Sequence, residues 1–554
     1  MCNSFDLLFV IKAKIYTCIL KPLKYGLNIL NAIPVQQSDY ETPRRSVRRG
    51  GRANRLSRSD ANNPANAPAV LRKRTIPTYN LLNEESLLAL EQQADWILHE
   101  IGVEFRGDEV ALDLFRKAGA DVKGQRVRFD PGLARKLCET APSQYELHGR
   151  DPKHTITLGG DNVVLMPGYG SPFVTDLDNG RRYAALEDFQ NFVKMTYSTP
   201  WLQHSGGTVC EPVDIPVNKR HLDMVYAHLR YSTKPFMGGV TAPSRAQDSI
   251  DMAKLVFGDA FMQENAVIQA NINVNSPLVF DDTMSGALRV YAAENQCVAV
   301  SPAIFGGAMG PVSQPAVIAQ TLAEGMVGIA LTQLVRKGCP TILGSFHSTM
   351  NLKSGALTFG TPEANLATMA LSQLVRRLGV PVRSGGGQVT SANAADGQAM
   401  QDSASAMWAT MLSGAHQVWH AAGWLEGGLT MSYEKFALDL DHCGMMMRMM
   451  QGIQVNDETL GRDAYLESGP GENFLSTAHT LRHFATANYQ SDLPDTGPFE
   501  TWFENGEQTA AQRANGRWKA MLANYQMPPM DENIDEALKD FMARRKEAMP
   551  DEWY

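Results

Sequence analysis

From Ala319 to Ser345 the chain runs AQTLAEGMVGIALTQLVRKGCPTILGS, an apolar segment of helical period, a glycine turn and a short β-type run. From Ala370 to Gly387 (ALSQLVRRLGVPVRSGGG) it does so again. Pro340 and Pro381 open the two β-type runs 41 residues apart. That spacing fits a helix of about 15 to 20 residues, a tight turn and a buried strand of about 5, the repeating unit of a parallel sheet. Between the repeats, GSFHSTMNLKSGALTFGTPEAN reads as a strand end opening into a polar loop. A helix start follows, with Thr361 placed to cap, Pro362 in the first turn and Glu363 at the positive end of the dipole.

The same patterns organise the rest of the chain. LNEESLLALEQQADWILHEIGVEF predicts an amphipathic helix capped by Asn83, RGDEVALDLFRKAGA a second ending at Gly119, and a third is entered at Asp130-Pro131. TITLGGDNVVLMPGYGSPFVTDLDNGRRYA alternates apolar residues with Gly-Gly, Pro-Gly and Asp-Asn-Gly turns, which predicts antiparallel hairpins. From Leu186 onward helices alternate with β-type segments: Gly207–Cys210, Pro235–Val240, Ala266–Asn273, Cys297–Ile304, Thr341–Phe346, Pro381–Arg383, Gln417–Ala422 and a weak eighth after residue 450. The count favours an α/β fold of the (β/α)8 TIM-barrel type, with an N-terminal helical cap and a small antiparallel hairpin region. An open sheet is the alternative. The expected division is a basic extension over 1–75, cap and hairpins over 76–185, barrel over 186–525 and a helical tail over 526–554.

Charge narrows the partners. Residues 1–75 carry 14 Lys/Arg against 4 Asp/Glu, leaving 37 against 55 for the rest. So acidic a body is a poor match for nucleic acid, whose binders must neutralise phosphates. The longest apolar run near the start, LLFVI, is too short to span a bilayer, and RRSVRRGGRANRLSR reads as a basic disordered tail. Seven scattered cysteines without a CxxC argue against a disulfide scaffold or a thiolate zinc knuckle and for a reducing cytoplasm. No metal site is expected.

In a barrel, the residues at strand C-termini share one mouth. These include Glu211, Asn271, Phe346, His347, Arg383, Gly385, Gly386, Gly387, Gln388, Trp424 and Glu426, a rim rich in glycine, rings and carboxylates. Rings with an acidic field suit a permanently methylated ammonium, which accepts no conventional hydrogen bond. Neither GxGxxG nor GxxxxGK[ST] occurs, so a nucleotide phosphate cradle is unsupported. Each carboxylate could equally be an arginine's structural partner, and the glycine run a plain linker.

YNLLNEESLLALEQQADWILHEIGVEF, GSFHSTMNLKSGALTFGTPE, PVRSGGGQVTSANAADGQAMQDS and GWLEGGLTMSYEKFALD, in this order over about residues 76–525, resemble the trimethylamine methyltransferase (MttB-like) family. The resemblance implies a TIM-barrel methyltransferase that passes methyl from an amine to the Co(I) corrinoid of a separate small protein. Founding members use pyrrolysine; this sequence has none, the equivalent position falling near Gly387 and Gln388. That departure points to quaternary amines such as glycine betaine, whose amine leaves neutral without a general acid. The resemblance also implies a homo-oligomer. On this reading Phe346 and Trp424 are cage walls, Glu211 or Glu363 supplies field, and Arg383 or His347 clamps a substrate carboxylate. Asn271, Gly385, Gly386, Gly387 and Gln388 are the candidates for the corrinoid, and no catalytic residue is assigned. Transfer to tetrahydrofolate, or a barrel that binds methylated amines without turnover, are the alternatives.

Overall fold

The structure, a computed structural model, describes residues 72–351, 353–491 and 493–553, less the side chains of Ser345, His347 and Ser348. The basic extension and its arginine run lie outside the described residues, apart from 72–75.

The two repeats are neighbours in one parallel sheet. Its strands in chain order are β1 (Asn162–Leu165), β2 (Phe236–Met237), β3 (Ile268–Asn273), β4 (Cys297–Ser301), β5 (Thr341–Met350), β6 (Val382–Ser384) and β7 (Gln417–Val418). Laterally they run β1-β7-β6-β5-β4-β3-β2. Leu343 pairs with Val382 and Gly344 with Arg383, so the repeats are in register. Helices follow the strands in turn: α1 (Pro243–Phe257), α2 (Asp282–Ala293), α3 (Gln314–Val335), α4 (Pro362–Leu378), α5 (Gly397–Leu412) and α6 (Tyr433–Met450). α3 is long and apolar enough to cross a membrane by length and composition, yet it is almost wholly buried against the sheet. Gly325 and Gly328 permit this closeness, because a Cβ there would run into Leu343 and Val300.

The expected closed eight-stranded barrel is not found: seven parallel strands form an open half-barrel whose edges, β1 and β2, share no ladder. The candidate strand Gly207–Cys210 is irregular, with a single bridge from Cys210 to Ser171. The stretch just before it lies between the two edges and makes isolated bonds. Gln203 N and His204 N donate to Leu165 O, Ser205 N donates to Pro235 O, and Met237 N donates to Gly206 O. Local chemistry explains why no ladder forms: Gly206 takes φ +95°, its N–H donates to His204 Nδ1, and the Ser205 hydroxyl bonds His228. The weak element after residue 450 is turns and short helices. β1, conversely, falls in the stretch expected to form hairpins.

The remaining elements decorate this sheet. Asn83 caps the helix Glu84–Trp96 through Ser86 N, as the pattern predicts. The hairpin Phe173–Asp176 with Gly180–Tyr183 forms around the Asp-Asn-Gly turn and is extended by Thr430–Ser432. The tail helix Glu532–Glu547 buries Leu538 and Met542 and ties Arg545 to Asp248.

Candidate functional site

β5 outruns its neighbours, and its far half carries the first element of the site. Beyond Gly344 it pairs with Ala303–Phe305 on one side and Leu357–Thr358 on the other, presenting Phe346 past the sheet's C-terminal edge. Trp424 reaches the same place from Trp424–Leu425, which pairs with Thr430–Met431 outside the parallel sheet. Their rings stack with centroids 5.2 Å apart and planes 14° apart. Phe359 lies 5.3 Å from Phe346 and 5.6 Å from Trp424. His420 packs 3.7 Å from Trp424 and 5.5 Å from Phe346. Gly428, at φ +98°, leaves room for the indole, which a Cβ there would strike.

Such a cluster is more than a hydrophobic plug, because two of its polar atoms are unspent. His420 Nδ1 and Trp424 Nε1 are buried and make no hydrogen bond among the described residues. A buried donor without a partner costs about 1–3 kcal/mol, which a ligand can restore. Burial first, then the charge of Arg383, holds the His420 imidazole well below its ordinary pKa. It is therefore neutral at physiological pH.

Arg383 itself sits on β6, 4% exposed, with its guanidinium 3.8 Å above the Trp419 ring. Burial pushes it down to about 9, against the opposing influence of Tyr169, so it stays cationic at neutral pH. Gly344 makes its path possible: a Cβ there would come 2.5 Å from Arg383 Cδ and 3.0 Å from Ser301 Oγ. Around it lie Tyr169, whose oxygen is bonded by Thr208 and Asn271, and the oxygens Ser301 Oγ and Asn271 Oδ1, which make no hydrogen bond among the described residues. Gln269 and Gln417 exchange amide bonds across the concave interior and fix Trp419 through its Nε1. One buried cation thus adjoins a box of aromatic faces.

The structure brings together Phe346, Trp424, Arg383 and Asn271 of the residues named from sequence. Others have different duties. Glu211 is paired with Arg220 and Glu426 with both oxygens on Arg181. Glu363 is exposed in the first turn of α4. Two of these three carboxylates are thus spent on arginines and the third faces solvent, and the ring faces are what the box offers a cation. Gln388 is wholly buried, its Nε2 donating to Ala421 O and Asp439 O and its Oε1 meeting His442 Nδ1. Gly387 N donates to Trp419 O, and a Cβ there would strike that carbonyl; Gly386 bonds Ser384 and Thr410. Gly385 is buried in the same turn. The glycine run is thus packed backbone rather than an open cradle. His347 pairs by its backbone with Ile304, and its side chain lies outside the described residues. The described cysteines are buried and unbridged; burial pushes the Cys138 and Cys297 thiols up to about 12.

In the sequence His420 reads only as a residue lining a strand or its flanks, and Phe359, Tyr169 and Ser301 carry no signal. Their positions lack a common spacing: three loop positions and a strand end come together only in the fold.

The sequence model described as trimethylamine methyltransferase (MTTB) matches residues 48–550. The glycine betaine methyltransferase of Desulfitobacterium hafniense (strain Y51) is 37% identical over 478 residues, covering 86% of this chain and 99% of that protein. The trimethylamine methyltransferase MttB of Desulfitobacterium hafniense (strain DSM 10664 / DCB-2) is 27% identical, covering 83% and 92%. The proline betaine:corrinoid methyltransferase of Eubacterium limosum is 27% identical, covering 80% and 93%.

Proposed function

Since this chain belongs to the trimethylamine methyltransferase (MTTB) family and is a methyltransferase of that kind, we propose that it takes a methyl group from a quaternary amine bearing a carboxylate, of which glycine betaine is the simplest. The observation that carries this reading is the buried Arg383 beside a box of aromatic faces. A ligand that is only cationic would bring a second positive charge close to the buried guanidinium; a zwitterion sets its carboxylate at that end and its methylated nitrogen at the rings. Phe346, Trp424 and Phe359 would face the methylated nitrogen. Arg383 would hold the carboxylate in bidentate fashion, with Ser301 and Asn271 in reach of the same end.

The chemistry asks little of the protein beyond placement. When the N–CH3 bond breaks, its electron pair stays on nitrogen and the amine leaves neutral, so no proton need be supplied. The neutral His420 agrees with that. What the residues contribute is orientation and exclusion of water. We place the acceptor, a Co(I) corrinoid, on a separate small protein as co-substrate. The packed glycine run does not fit the holding of a corrinoid, and no residue of this chain is assigned to it. A cytoplasmic homo-oligomer, and the division at 76–185, 186–525 and 526–554, are parts of the same proposal.

The test is anaerobic mixing of purified protein with cob(I)alamin and a panel of methylated amines, following Co(I) consumption in the visible spectrum. Consumption with carboxylated quaternary amines, and little with choline or trimethylamine, is the expected result. Silence across the panel, with a corrinoid protein also supplied, would move the assignment to folate-linked transfer or to binding without turnover.

A further inference from the structure

The stretch after α6 carries a second cluster that the methyl-transfer site does not use. Glu458 lies in a turn; His479 and His483 stand four apart on the helix Ala478–His483, which places both rings on one face with centroids 4.5 Å apart. The ligand atoms of Glu458, His479 and His483 all lie within 4.8 Å of one another. His483 Nε2 is 2.9 Å from Glu458 Oε1. His479 Nδ1 is buried and makes no hydrogen bond among the described residues, with Asp463 Oδ1 3.6 Å away. Gly461, at φ +61°, faces the imidazole of His479, where a Cβ would sit 3.3 Å from Nε2.

We propose that Glu458, His479 and His483 form a binding site for a divalent transition ion, with Zn2+ the best fit. Two imidazoles and one carboxylate are the borderline ligands zinc takes, and three protein ligands leave a fourth position for water. Calcium and magnesium call for oxygen ligands and fit poorly. On binding, the ion takes the place of the hydrogen bond between His483 Nε2 and Glu458 Oε1, each neutral imidazole carrying its one proton on the ring nitrogen that does not ligate. Arg482 holds Glu458 and Asp463 from the side, at 3.2 and 2.6 Å, and orients the carboxylate without supplying a ligand.

The ion would act as a clip. It joins the turn at 458 to the helix at 478–483 within a stretch where Ile453, Val455, Leu466, Leu475 and Phe484 are all exposed, so apolar burial alone does little to hold it. A cross-link between two such segments stabilises them as a closed loop does.

Isothermal titration of the full-length, chelator-treated protein with ZnCl2 at pH 7.5 tests this. The wild type should bind one equivalent that both H479A and H483A lack, and protease cleavage within 450–500 should slow at least several-fold on adding zinc to the wild type only. Co2+ should give tetrahedral d–d bands that Zn2+ abolishes. Zinc bound equally by both variants, or no saturable binding by the wild type, would overturn the proposal. Cooperative melts of the metal-free variants matching the wild type would show that the loss is of a site and not of the fold.

Discussion

At the scale of the residue, Arg383 and Trp424 make separable predictions. Charged, bidentate hydrogen bonds are worth about 1.5–3 kcal/mol, so Arg383→Ala should raise KM for a carboxylated quaternary amine by roughly 10- to 100-fold. Choline, lacking the carboxylate, should lose nothing. A uniform loss on both substrates would show that Arg383 serves the fold and does not clamp substrate. Trp424→Leu removes a ring face instead of a charge, and should weaken binding of every quaternary ammonium by about 0.5–2 kcal/mol, or ~3- to 30-fold, measured by direct titration. These two residues were legible as rim candidates from their placement at the ends of β-type runs. That Glu211 is spent on Arg220 was not, since which of several arginines reaches a carboxylate depends on the fold.

At the scale of the element, the site depends on how closely β5 and β6 carry one another. Gly344 faces Arg383 in register, and a methyl group there would displace the guanidinium from Trp419. Gly344→Ala should therefore reproduce the substrate selectivity of Arg383→Ala in the same KM comparison while the protein still melts cooperatively. Behind the turn that follows β6, Lys435 on α6 donates to both oxygens of Asp439 and to Ser403, all fully buried. Burial lifts the Asp439 carboxyl to about 6 while Lys435 opposes the shift. Breaking a buried pair leaves one charge alone, so Lys435→Met should cost about 3–5 kcal/mol in denaturant unfolding. The double variant Lys435→Met with Asp439→Leu should recover most of that loss, because no charge is then left buried.

At the scale of the whole molecule, the buried histidines tie stability to pH. Burial lowers His154, His228 and His416 to about 4 and His204 to about 3. Their folded pKa values lie below the unfolded value of about 6.5, so between those limits the unfolded chain binds more protons. Stability is then fully present above pH 6.5 and falls as pH drops toward 4, by up to about 1.4 kcal/mol per pH unit for each histidine. Thermal melts from pH 7.5 to 4.5 should show a Tm that declines steadily below 6.5; a flat profile would mean that these groups are not held neutral. The basic extension is expected to be dispensable. A chain beginning at residue 70 keeps Arg72–Lys73 paired with β1 and Arg74 bonded to Ala415 O, and should melt with one cooperative transition.

The sequence by itself determined the repeated helix-turn-strand unit, the helix capped by Asn83 and the parallel class of the sheet, because these follow from local periodicity, turn residues and chain reach; Thr361 stands at the start of its helix but makes no side-chain cap bond. It also marked Phe346, Arg383 and Trp424 as worth watching. Only the tertiary structure decided that the sheet stays open, since that turns on whether the backbone of 203–210 forms a ladder or spends its groups on nearby side chains. It alone decided that Gln388 is core, that Glu211 is paired, and that His420 and Phe359 join the ring box. Contacts between residues distant in sequence follow from packing of whole elements, and no local pattern encodes them.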